Sequence, residues 1–147
     1  MATFTKINDW LEYLANDADL NSDTFAVALS NTAPASETPN PTTDNNGILA
    51  NVTQISYTNY TDDLTSDRVV ESVTSAQSSG TLTFDGGDFV ITASGGALAD
   101  FRYVYLYDDT VTGDPLVAVW DHGSTVSLSD GDSANINVNA SGFFTIA

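Results

Sequence analysis

Cysteine is absent from the 147 residues, which excludes disulfides, thiolate zinc sites, iron–sulfur clusters and cysteine nucleophiles. Basic residues are nearly absent: Lys6, Arg68 and Arg102 stand against twenty acids, giving a formal net charge of −17. Nucleic acid and anionic membranes are held by clustered Lys and Arg that neutralise phosphates, and three scattered cations form no cluster. Neither is expected as a partner. Apolar runs fall short of the ~20 residues of a membrane helix, and no basic stretch precedes an apolar one as in a secretory signal. Lys occurs once and Glu only at Glu12, Glu37 and Glu71, so the remaining seventeen acids are Asp. Helical surfaces favour Glu and Lys, whereas Asp, Asn, Ser and Thr favour turns, caps and strand surfaces. The acids spread evenly along the chain, which reads as a solvated, self-repelling surface. A single, non-secretory, acidic β-rich domain over 1–147 is expected.

One helical pattern stands out. Phe4, Ile7, Trp10, Leu11 and Leu14 make one apolar stripe, predicting an N-terminal amphipathic helix over 4–15 docked on a sheet. Strands are predicted at Thr24–Asn31, Arg68–Ala76, Gly80–Phe84, Asp88–Ala93, Phe101–Tyr107, Leu116–Trp120, Thr125–Leu128, Ala134–Ala140 and Phe143–Ile146, with Ile48–Tyr57 ambiguous. Asp85-Gly86-Gly87 reads as a hairpin turn between the third and fourth of these. Phe101, Tyr103, Tyr105 and Tyr107 share one face, with Val104 and Leu106 on the other. A strand apolar on both faces is central or covered. The spacing argues an antiparallel β-sandwich, jelly-roll-like or Ig-like, plus the one helix. Residues 32–47 hold Pro34, Pro39 and Pro41 and almost no large apolar side chain. Such a loop or arm cannot build its own core, and contact with a neighbouring chain is expected to order it.

Chemistry-bearing patterns are sparse. His122, the single histidine, sits in Trp120-Asp121-His122-Gly123 without a nucleophile elbow, and reads as a turn residue. Asp17-x-Asp19-x-Asn21-x-Asp23 begins like a calcium loop, but Ser22 and Ala28 stand where Gly and Glu are required, so it reads as a solvated connection. Asp130-Gly131-Asp132 reads as a turn. No catalytic, cofactor-binding or metal residues are assigned, and the chain is read as non-enzymatic. Tyr103 and Tyr105 fit the sandwich core or an association surface; with Pro34, Pro39 and Pro41 they are the candidate partner-interface residues.

Several segments in order resemble small tailed-bacteriophage virion proteins of the head decoration, or cement, type. They are the N-terminal apolar stripe, the run from Thr24 to Pro34, the Ala93-Ser94-Gly95-Gly96 turn before Asp100-Phe101-Arg102-Tyr103, and the run from Val119-Trp120-Asp121-His122-Gly123-Ser124 to Gly142-Phe143-Phe144-Thr145-Ile146-Ala147. The resemblance reaches over about two thirds of the chain, and residues 35–47 look like an insertion. The resemblance implies a β-rich head protein on the capsid exterior, present in the host cytoplasm before assembly. It also implies binding to the major capsid protein and to sister copies, with a trimer favoured. Another virion component (tail, connector or fibre-associated) and a carbohydrate-binding β-sandwich are the alternatives.

Overall fold

Thr3-Phe4-Thr5-Lys6 alternates β-branched Thr with larger side chains, a pattern that suits a strand. The computed structural model, which describes residues 2–62, 64, 68–138 and 142–146, makes it strand β1 (Thr3–Lys6). The expected helix over 4–15 is therefore corrected: α1 spans only Trp10–Asn16. Pairing to a sheet satisfies the backbone of 3–6 more fully than one added helical turn. The apolar stripe divides accordingly. Ile7 and Trp10 are buried, whereas Phe4 is 37% and Leu11 48% exposed.

The described strands number ten: β1, β2 (Phe25–Ser30), β3 (Tyr60–Asp62), β4 (Thr74–Ser78), β5 (Thr81–Asp85), β6 (Phe89–Ala93), β7 (Phe101–Asp108), β8 (Leu116–Val126), β9 (Ser133–Ile136) and β10 (Phe144–Ile146). They form a four-stranded sheet, β1-β8-β7-β2, and two three-stranded sheets, β10-β5-β4 and β3-β6-β9. All named pairings are antiparallel. The fold is mainly β, antiparallel and sandwich-like, with one helix.

The four-stranded sheet is covered on both faces. Val27, Leu29, Val104 and Leu106 meet Phe84, Ile91 and Trp10 in the larger core. Ala26, Ala28, Tyr103, Tyr105 and Tyr107 face Ile7, Val52 and Leu49 in the smaller one. Phe101 belongs to the larger core, apart from its expected tyrosine partners, and the register of β7 against β8 shifts between Phe101 and Tyr103. The outer edge of β2 is also occupied: Val27 N–H donates to the Arg68 carbonyl, Val70 N–H to Phe25, and Ile55 N–H to Leu29. The Arg68 guanidinium lies 4.0 Å over the Tyr57 ring and its Nε donates to the Val27 carbonyl at 3.0 Å, which clamps that edge shut.

Other boundaries differ from expectation. Arg68–Ala76 is no continuous strand, since Arg68 (φ 64°) and Ser72 (φ 54°) both take left-handed backbone. Gly86-Gly87 does not join a hairpin; β5 and β6 lie in different sheets. A Cβ on Gly86 would stand 2.7 Å from Phe143, so close packing is what requires glycine there. The actual tight hairpin joins β4 to β5 through Ser79-Gly80, both at positive φ (52° and 89°). Leu116–Trp120 and Thr125–Leu128 merge largely into β8. Ile48–Tyr57 resolves into a 3-10 turn (Leu49–Asn51) followed by extended chain. The end of the predicted Ala134–Ala140 strand lies outside the described residues.

Candidate functional site

β8 carries an excursion. Tyr103 pairs with Asp121, but Phe101 pairs with Val126, so residues 122–125 bulge out opposite Arg102. Gly123 (φ 90°) permits the bend, and its N–H donates to Asp121 Oδ1 at 2.7 Å. Arg102 holds the base of the bulge with a two-pronged ion pair to Asp121, Nε to Oδ1 at 2.6 Å and Nη2 to Oδ2 at 2.8 Å. The guanidinium keeps the Asp121 carboxyl below its ordinary range, and Asp121 raises Arg102 in turn. His122 turns back on the bulge, with Nδ1 3.2 Å from the Ser124 carbonyl oxygen. The turn expected at His122 is corrected: it is an exposed residue within β8, which runs on through the bulge.

Beside the bulge, β8 and β9 leave a wedge-shaped cavity of about 430 Å³. Phe89, Phe101, Val104, Trp120, Ile136 and Phe143 make its apolar walls, and His122, Thr125 and Asn135 its polar edge. A shallower groove continues along Phe4, Trp120, Asn137 and Phe144. The Phe4 and Trp120 rings stand 5.4 Å apart, and Trp120 and Phe143 5.7 Å. Such a wedge can take apolar groups; no acid–base pair converges on it among the described residues. Nor do three His, Asp or Glu side chains gather there as metal ligands, among the described residues.

The five candidate interface residues separate. Tyr103 and Tyr105 are buried inside the chain, and Pro41 is buried as well. These three positions are corrected: their own domain covers them, because the 32–57 stretch is what closes the tyrosine face. Burial raises the Tyr105 hydroxyl above its ordinary range, with Glu37 adding to the effect. Pro34 opens a 3-10 turn (Pro34–Ser36) and is half-buried; Pro39 is exposed. The Pro-rich segment is tied to the domain at Glu37 and at its end, Gly47 and Ile48. Glu37 accepts from Thr53 N–H and Thr53 Oγ1, both at 2.7 Å. Gly47 N–H donates to Asp9 Oδ2 at 2.9 Å, and its carbonyl accepts from Leu116. Ile48 bridges Pro115. These contacts within the domain hold the arm at Glu37 and at Gly47–Ile48.

The acidic loops close on themselves. Asp19 N–H donates to Asp23 Oδ2 at 2.6 Å, and Asn21 N–H to Asp19 Oδ1 at 2.9 Å, which lowers the Asp19 carboxyl. Asp130 Oδ1 accepts from Gly95, and Asp132 Oδ2 from Ser129, pinning the 129–132 turn to the 94–96 turn. Asp108 is the residue that the sequence reading missed. It is fully buried at the end of β7. The signal was present: by alternation, Asp108 falls on the face of Val104 and Leu106, the core side.

A scan against protein-family models, a search of curated proteins and a search of solved structures each returned no match. No helix among the described residues is long and apolar enough to cross a membrane. Fold and site together define a mainly antiparallel β domain with a pinned bulge beside an apolar inter-sheet wedge.

Proposed function

We propose that this chain is a non-enzymatic structural protein of a tailed-phage virion, a decoration protein that binds the major capsid protein and stabilises the head. One observation carries the reading. Three of the segments that resemble such proteins, far apart in sequence, are neighbours in space. Thr24 to Pro34 contains β2, Asp100 to Tyr103 opens β7, and Val119 to Ser124 lies in β8; these are three adjacent strands of one sheet. The 94–96 turn is held to the neighbouring 129–132 turn through Asp130. The resemblance therefore follows the load-carrying sheet and its rim, as a shared architecture would. Binding surfaces would lie on the exposed tips, among them Pro39 and the 122–125 bulge, since the tyrosine face is closed. Sister copies and the capsid protein are the proposed partners, and the capsid exterior the proposed location.

The test is co-sedimentation of the purified, labelled chain with heads from the producing phage that lack it. Saturable binding to heads and none to isolated tails is expected. Binding to tails alone would move the protein to the tail, and binding to neither would overturn the reading.

A second reading has one observation in its favour: the exposed Phe4 and half-buried Trp120 line the groove with Asn135 and Asn137. Aromatic rings beside amides suit a sugar face. Quenching or shift of Trp fluorescence by a glycan, lost in Trp120→Ala, would favour a carbohydrate-binding module instead.

A further inference from the structure

Asp108 and Asp23 meet where the chain leaving α1 returns to the sheet. Asp108 is 0% exposed. Its Oδ1 accepts the backbone N–H groups of Thr110 (2.9 Å) and Val111 (3.2 Å). Its Oδ2 is buried and receives no hydrogen bond from any described donor, and Asp23 lines the adjoining hollow together with Thr110 and Val111. Asp23 is held in turn, its Oδ2 accepting from Asp19 N–H. Beside the pair, Thr24 N–H donates to Thr110 Oγ1 and Asp109 N–H to the Thr24 carbonyl, both at 2.8 Å. The surrounding charges are acidic: Asp17 from the α1 side lines the adjoining hollow with Tyr13, and Asp109 follows in sequence.

Two carboxylates in contact repel unless something neutral or positive stands between them. We propose that Asp108 carries a proton on this orphaned oxygen and donates it to the Asp23 carboxylate, forming a pH-sensitive latch that ties the 17–24 loop to the end of β7 and the 109–112 turn. With the proton in place, one carboxyl donates to the other and the two loops are joined. When it leaves to solvent, both oxygens carry charge and the join becomes a repulsion. Burial, with Asp23 adding to it, lifts Asp108 from 3.8 to about 6. The folded chain thus holds this proton more tightly than the unfolded chain. The latch contributes fully below about pH 4 and is lost as pH rises through about 6.

The experiment follows unfolding and amide exchange of the intact chain between pH 4 and 7.5, at constant ionic strength, beside Asp108→Asn. Asn can accept from Thr110 and Val111 through Oδ1 and donate to Asp23 through Nδ2, so the variant keeps the join at every pH. The expected result is a higher unfolding midpoint than the parent at pH 7.5 and a flatter pH dependence. Amide exchange at residues 19–23, corrected for intrinsic rates, should be about tenfold slower in the variant at pH 7.5 and equal to the parent at pH 4. Asp23→Asn serves as the second variant if Asp108→Asn does not fold. Identical pH profiles in parent and variant would overturn the latch. So would a rise in parent midpoint with millimolar calcium at pH 7.5 that Asp108→Asn abolishes, since the pair would then be a cation site.

Discussion

Trp10 and Leu11 are adjacent in one apolar stripe, yet the structure assigns them opposite roles. Trp10 is fully buried, edge-on to Phe25 at 6.0 Å, while Leu11 is 48% exposed. A buried Trp removes about 150–250 Å² from water, which at ~25 cal/mol per Å² corresponds to roughly 4–6 kcal/mol. The extended-chain reference overstates this, and Ala retains one methyl, so Trp10→Ala is expected to cost about 3–5 kcal/mol. For a chain of this size that is a fall of roughly 10–15 °C in Tm. Leu11→Ala should cost less than about 1 kcal/mol, because half its surface already meets water. Urea unfolding followed by far-UV circular dichroism measures both without relying on the deleted indole. Equal costs, or a larger one for Leu11, would refute the division of the stripe into a strand and a shorter helix.

Gly86→Ala should destabilise by about 1–3 kcal/mol through overpacking against Phe143 and Val70, and urea midpoints would register it. Glu37→Gln weakens the tether to Thr53, and the expected loss is about 1 kcal/mol with faster proteolysis within residues 35–46; an unchanged cleavage rate would count against the tether. On the acid side, Asp19 and Asp121 have lowered carboxyls, so their contribution is present above the ordinary 3.8 and lost as pH falls below it. Asp108 acts in the opposite sense between 3.8 and about 6, so stability should peak near the lower end of that interval in a pH series of unfolding midpoints.

What was legible in the sequence was the part governed by alternation. The residues Ala26 to Leu29 and Tyr103 to Leu106 announce strands apolar on both faces, and they pair as the central β2–β7 unit. What misled was local pattern without its partner. Phe4 fits a helical stripe as well as a strand, and only pairing with Trp120 on β8 decides between them. Gly86-Gly87 has the composition of a turn, but its glycines serve the approach of Phe143. The Pro-rich segment has too little apolar surface for a core of its own; it is ordered by carboxylates, Asp9 and Glu37, reaching backbone groups 38 and 16 residues away. Such long-range hydrogen bonds leave no periodic trace. The Asp23–Asp108 contact is of the same kind, although the position of Asp108 on an apolar face was a usable warning.

The central claim is that this domain works as a fixed part of a phage head. A reconstruction of the producing phage particle by electron cryo-microscopy tests it most directly. The account predicts density for this β domain seated on the outer capsid surface, repeated with the shell's symmetry and contacting it through exposed tips rather than the tyrosine face. A complete head without such density, or the domain found only on the tail, would contradict it.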